Sequence, residues 1–233
     1  MKSGFPVKLR MTDKQYYSKW KKMIKKYKHI IWDWNGTILN DLELCVDVGN
    51  NLFRKKNIPT ITIEKYKEVF TIPVVKYYEA VGFDFSKESF AEIGKEWMDE
   101  YEERKYECNL HNDVQKVMQK INDLGIEQSI LSAYKETKLK EMVKHFDLHE
   151  YQSNIVGLDN IYAASKLDLG LSLMQKIGNG YGETLMIGDT VHDSEVAKAM
   201  GADCVLIASG HQNKETLLKC GVPVFDKLGE ILK

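Results

Sequence analysis

The chain has 233 residues, 43 % of them hydrophobic, and its 33 Lys/Arg and 34 Asp/Glu leave a net charge of −1. That length can bury a core, either as one domain or as a core carrying a smaller insert. No uninterrupted apolar stretch reaches membrane-spanning length and the N-terminus lacks the apolar stretch of a signal peptide, so a cytoplasmic protein is expected.

Charge is unevenly spread along the chain. Residues 1–28 hold ten Lys/Arg against Asp13 alone, a balance of +9 that leaves −10 to the remainder. Such an arm has the chemistry to touch nucleic acid or an anionic membrane. However, Thr12-x-x-Gln15 resembles a capping box, and Tyr16, Tyr17, Trp20, Met23, Ile24 and Tyr27 recur at helical spacing. The pattern favours an amphipathic helix docked on the body, its lysines merely solvated. Neither nucleic acid nor membrane is therefore expected as a partner, and the oligomeric state is left open. The four cysteines (Cys45, Cys108, Cys204, Cys220) are scattered, without a C-x-x-C pair or a histidine at zinc spacing, and read as reduced thiols.

The next segment, HIIWDWNGTIL over residues 29–39, reads as a buried strand running into a turn, with Asp33 at the strand end and Gly36 supplying the reversal. From Asp41 to about Lys105 no strand is predicted. Helical runs over 41–57, 63–70, 74–82 and 87–106, punctuated by Pro59, Pro73 and Gly82, read as a helical insert of some sixty residues. Strand-like runs then appear at 127–132, 153–157, 184–188, 203–207 and 222–225, with helical stretches at 112–124, 136–146, 166–177 and 193–200. Strands alternating with helices imply an α/β fold: a Rossmann-like, doubly wound parallel sheet. The expected division is a basic N-terminal arm over 1–28, a core over 29–40 and 106–233, and a helical cap over 41–105. In such sheets chemistry gathers at the carboxyl ends of the strands, where Asp33, Ser132 and Asp189 fall.

Asp33-Trp-Asn35-Gly-Thr37, Ser132, Lys166 and the acids of IGDTVHD (Asp189 and Asp193) resemble, in that order and spacing, the four motifs of the haloacid dehalogenase-like hydrolase superfamily. The resemblance runs from about His29 to the end and is similar to the phosphoglycolate-phosphatase-like branch with a small helical cap. It implies a hydrolase of phosphorylated small metabolites that forms an aspartyl-phosphate. Asp33 would be the nucleophile and Ser132 and Lys166 the phosphoryl-binding groups. Mg2+ would be held by Asp33, Asp189, Asp193 and the backbone carbonyl of residue 35. Mg2+ prefers hard oxygen ligands, and positioning with charge neutralisation does most of the work of phosphoryl transfer. Gly36, Thr37, Ala133 and His192 are candidate substrate-binding residues. Asp193 also reads as a helix N-cap, and both roles can coexist.

Asn35 departs from the family pattern, in which an aspartate there protonates the leaving group and later activates water. An amide supplies only hydrogen bonds. Losing one acid–base group costs about 10²–10⁴-fold, less when the leaving group needs no proton. His192 is a substitute proton carrier to test. A mutase, which needs the second aspartate, is disfavoured. A phosphonatase-like variant would want a cap lysine such as Lys55, Lys56 or Lys76. A catalytically silent binding or regulatory protein is the alternative of another class. For Gly210 and His211, after the fifth strand, there are two readings: a place near the mouth of the site and, favoured over it, a plain turn.

Overall fold

Every residue of β1 (His29–Trp32) is buried. Ile30 and Trp32 belong to one apolar cluster and Ile31 to another, so the strand buries both faces. A strand of that kind needs parallel neighbours and a helical layer on each side. The computed structural model shows both, and describes residues 24–158, 166–180 and 182–232. Of the expected N-terminal helix, residues 12–23 lie outside these; its end is a single 3-10 turn, Ile24–Lys26, with Ile24 and Tyr27 buried in the core.

The strands that follow are β2 (Leu39–Asn40), β3 (Asn109–Leu110), β4 (Glu127–Lys135), β5 (Asn154–Leu158), β6 (Thr184–Gly188), β7 (Asp203–Ile207) and β8 (Val224–Phe225). Six of them form one sheet in the order β5-β4-β1-β6-β7-β8, parallel at every pairing. This is the Rossmann-like α/β sheet. In register, Trp32 stands opposite Ile130 on one side and Ile187 on the other. The order reverses at β1, which leaves a crevice outside its carboxyl end.

The helices are α1 (Leu42–Lys55), α2 (Ile63–Val69), α3 (Val74–Ala80), α4 (Phe90–Arg104), α5 (Val114–Asp123), α6 (Glu136–His145), α7 (Leu167–Ile177), α8 (Val191–Met200) and α9 (Lys214–Leu217). Val117, Met118, Leu139 and Met142 from α5 and α6 join the cluster of Ile30 and Trp32, while Leu173 and Val196 from α7 and α8 join that of Ile31. Each such side chain, fully buried, contributes about 1.5–3 kcal/mol by leaving water. Helices α1–α4 lie between β2 and β3, which pair antiparallel. The helical insert therefore leaves and re-enters the core through one two-stranded ribbon. Among the described residues no helix is long and apolar enough to cross a membrane.

Several element ends differ from the sequence expectation for local reasons. Helix α4 starts at Phe90 rather than near 87 because Ser89 closes a capping box with Glu92. Helix α5 starts at Val114 because Asp113 is left-handed at φ 70°. Helix α8 begins at Val191, with Thr190 as N-cap and Asp193 three residues in, so Asp193 is not the cap itself. Strand β4 runs to Lys135, but its pairing with β5 slips between Leu131 and Lys135. Ser132 and Ala133 sit in that irregular stretch.

Candidate active site

Asp33 follows β1 directly, 7 % exposed, with its amide bonded to the Ile187 carbonyl at 2.9 Å. The ammonium of Lys166, at the start of α7, lies 2.5 Å from Asp33 Oδ1 and 2.7 Å from Asp193 Oδ1. It also donates to the Leu131 carbonyl at 3.3 Å. Asp193 Oδ2 accepts from the Thr190 amide (2.9 Å), the Thr190 hydroxyl (2.7 Å) and the Asp189 amide (3.2 Å). Asp189 accepts from Thr37 Oγ1 at 3.0 Å and from the His211 amide at 2.6 Å. One oxygen from each of Asp33, Asp189 and Asp193 falls within 4.8 Å of the others.

Three buried carboxylates face one ammonium, and the electrostatics follow. Burial pushes Asp33 well above the usual carboxylate range, with Lys166 opposing and Asp193 and Asp189 adding to the push. Burial also raises Asp189, against the pull of His211. Burial opposes ionisation of Asp193 too, but Lys166 and the Thr190 hydrogen bonds hold it low. Lys166 stays charged despite its burial because Asp193 and Asp33 flank it. The cluster is thus short of positive charge, and its donors are hard oxygens. These residues fit a magnesium ion.

Two glycines permit the closeness. A Cβ at Gly36, whose φ is +73°, would lie 2.3 Å from Asp189 Oδ2 and 2.5 Å from His211 Cδ2; one at Gly210 would lie 2.1 Å from the same oxygen. Only glycine fits at either position.

Asn35 is bound into a second cluster built from the insert. Its amide Nδ2 donates to Asp41 Oδ2 at 2.7 Å and to the Tyr101 hydroxyl at 2.9 Å. Tyr101 donates to the same Asp41 oxygen at 2.9 Å, the Gly36 amide to Asp41 Oδ1 at 2.9 Å, and Cys45 Sγ to Oδ2 at 3.5 Å. His211 Nε2 stands 3.2 Å from Asp41 Oδ1. Burial by itself would raise Asp41, yet His211, Asn35 and Tyr101 bring it down to about 2. Burial would likewise lower His211, but Asp41 lifts it to about 9. The result is a fully enclosed ion pair, with Asp41 0 % and His211 5 % exposed. In the protonated ring Nδ1 donates to the Tyr66 hydroxyl at 3.0 Å.

The structure brings Asp33, Asn35, Ser132, Ala133, Lys166, Asp189, His192 and Asp193 around one cavity of about 190 Å³. Ser132 Oγ accepts from the Tyr134 amide at 3.0 Å. His192 Nε2 is buried without a hydrogen-bond partner among the described residues. Gly36 and Thr37 do not line that cavity: the Gly36 amide serves Leu39 O and Asp41, and the Thr37 hydroxyl serves Asp189. Both thus support carboxylates of the site, Asp41 and Asp189. His211 does sit in a turn, but its side chain reaches into the site, which the turn by itself did not suggest. Asp41, Cys45, Tyr66 and Tyr101 were not read as site residues. Asp41 precedes a helix and looks like an N-cap, yet its side chain makes no capping bond. The insert is tied down beside it, with Gln212 Nε2 donating to the Phe70 carbonyl at 2.9 Å and Lys67 Nζ to the Ala208 carbonyl at 2.9 Å.

A family model described as haloacid dehalogenase-like hydrolase matches residues 30–207. A Caldanaerobacter subterraneus protein bearing the pyrophosphatase name PpaX is 23 % identical over 185 residues, 78 % of this chain and 82 % of that one. Among solved structures, the haloacid dehalogenase-like hydrolase SP0104 of Streptococcus pneumoniae superposes with a TM-score of 0.75 at 19 % identity, covering 89 % of this chain and 97 % of its own. A Haemophilus somnus protein described as a predicted phosphoglycolate phosphatase gives 0.72 at 16 % identity, covering 89 % and 97 %. At such identities these two similarities speak for the fold.

Proposed function

The chain belongs to the haloacid dehalogenase-like hydrolase family, and we propose that it is a Mg2+-dependent phosphatase of a small phosphorylated metabolite, acting through an aspartyl-phosphate on Asp33. The observation that carries the reading is the contact of Lys166 with both Asp33 and Asp193 beside Asp189, at the carboxyl edge of the sheet. A phosphomonoester dianion repels an anionic nucleophile, and this charge balance is what lets the two meet. The phosphatase and pyrophosphatase names of the similar proteins agree with it.

In this reading an Asp33 oxygen attacks phosphorus, the bond from phosphorus to the ester oxygen breaks, and that oxygen leaves with the electron pair. Lys166 balances charge on the phosphoryl oxygens and Ser132, whose oxygen already accepts from the Tyr134 amide, turns its hydroxyl hydrogen towards them. Magnesium would be held by Asp33, Asp189, Asp193 and the Asn35 carbonyl, and supplies charge neutralisation to the phosphoryl group. Asn35 gives no proton to the leaving oxygen: its amide hydrogens hold Asp41 and Tyr101. His192 also lines the cavity, and its buried Nε2 has no hydrogen-bond partner among the described residues.

The test is a screen of phosphate esters, acyl phosphates and phosphonates with and without Mg2+, with Asp33→Ala as control. Phosphate release that needs both Mg2+ and Asp33 is expected. Release that persists in the control overturns the reading. No release from any substrate would favour the silent binding protein, for which the engagement of Asn35 by Asp41 speaks.

A further inference from the structure

Beyond the reacting groups, the cavity is walled by the insert, and that wall carries little charge. Resting on the phosphatase reading above, we propose that the leaving group is an uncharged aromatic alcohol, so that the substrate class is the aryl phosphate monoesters.

Three observations support this. The wall presents Phe70, Tyr77, Tyr78, Phe90, Trp97 and Tyr101 to the cavity. Their rings are already in mutual contact: Phe70 and Tyr77 at 5.7 Å between centroids, Tyr77 and Tyr78 at 5.4 Å, Tyr78 and Phe90 at 5.9 Å, and Trp97 stacked on Tyr101 at 5.0 Å. A further flat ring would continue that packing. The cavity measures about 190 Å³ over its whole length, from the carboxylates to these rings.

The second observation is charge. No Lys, Arg or His of the insert lines the cavity, and its one carboxylate there, Asp41, is already engaged by His211, Asn35, Gly36 and Tyr101. The carboxylate of phosphoglycolate, or the second phosphoryl group of a diphosphate, would be buried against aromatic rings with no cation from the insert to meet it. Desolvating an ion without a partner is costly. Lys135 also lines the cavity, from the core side and three residues beyond Ser132 on β4. From there it would add to the phosphoryl end.

The third is Asn35. A phenol ionises near pH ~10, as tyrosine does, whereas an alkyl alcohol does not ionise in water at any ordinary pH. An aryl oxide therefore departs without the proton that Asn35 does not give. Among leaving groups that need no proton, the aromatic wall is what selects an aryl oxide.

Binding of non-hydrolysable phosphonates to the full chain in excess Mg2+, measured by calorimetry, tests the wall without needing turnover. Benzylphosphonate should bind about tenfold or more tighter than 2-carboxyethylphosphonate or methylenediphosphonate, and Trp97→Ala should weaken the benzyl ligand about fivefold while changing the other two little. Equal or tighter binding of the charged ligands, or their loss in Lys135→Met while benzylphosphonate is retained, overturns the proposal. If Trp97→Ala does not fold, the ranking on the unmodified chain decides. The two readings fail separately. Asp33-dependent hydrolysis of phosphoglycolate in preference to 4-nitrophenyl phosphate refutes the aromatic leaving group and keeps the phosphatase. Tight benzylphosphonate binding without Asp33-dependent hydrolysis of any aryl phosphate keeps the aromatic site and refutes the phosphatase.

Discussion

Replacing Asp41 by Asn changes almost no volume but removes the charge at the centre of the second cluster. In the native chain Oδ1 faces the Gly36 amide and His211 Nε2, while Oδ2 faces Asn35 Nδ2 and the Tyr101 hydroxyl. An asparagine must turn its NH₂ toward one of these pairs, setting a donor against two donors. Two charge-assisted hydrogen bonds are then lost, at about 1.5–3 kcal/mol each. Rotation of the Tyr101 hydroxyl or deprotonation of His211 recovers part, leaving a net cost of about 2–4 kcal/mol. The lift of His211 from 6.5 to about 9 corresponds to about 3 kcal/mol, the net of burial against Asp41 first and Asp189 and Asp33 after it. For a chain of this size the melting temperature should fall by about 5–15 °C.

The effect also has a pH signature. Asp41, held at about 2, contributes stability above its unfolded value near 4 that is lost as pH falls through 2. His211, held at about 9, contributes stability fully present below 6.5 that is lost as pH rises through 9. Urea denaturation in metal-free buffer should therefore separate native chain and variant most at about pH 5–6 and least above pH ~9.5. A loss under about 0.5 kcal/mol at pH 6, or a gap that widens toward alkaline pH, would refute the ion pair.

Asn35→Asp by itself would set a carboxylate within hydrogen-bond distance of Asp41, now 2.7 Å from the Asn35 amide, and should be destabilising. The exchange Asn35→Asp with Asp41→Asn restores one donor and one acceptor. The double variant should recover about 1–3 kcal/mol over the sum of the singles in a double-mutant cycle, and additive losses would count against the pairing. It should also hydrolyse alkyl phosphates faster while 4-nitrophenyl phosphate changes little. His29 is 1 % exposed and bonded through Nε2 to Ser129 Oγ at 2.8 Å, and burial lowers its pKa. Its contribution is present above 6.5 and lost as pH falls below it, with a slope of at most about 1.4 kcal/mol per pH unit. His29→Asn should remove that acid-side slope from the stability curve, and an unchanged slope would show that other groups cause it.

Local patterns made the sheet readable before the structure: Ile30, Ile31 and Trp32 announce a buried strand, and Gly36 marks the reversal after it with short-range chemistry. The acids of IGDTVHD were readable too, since a strand-to-helix turn limits where such side chains can point. Asp41, Tyr101 and His211 were not, because their meaning depends on a contact spanning 170 residues between the insert and the loop after β7. As a sequence, Asp41 is one more helix-start acid and His211 one more turn residue. Only when the ribbon of β2 and β3 folds the insert over the sheet do these groups lose water together, and burial is what turns a weak surface attraction into a strong pair. The aromatic wall is decided in the same way: the sequence places Tyr77, Trp97 and Tyr101 in helical runs, but does not show that they line one cavity with Asp33.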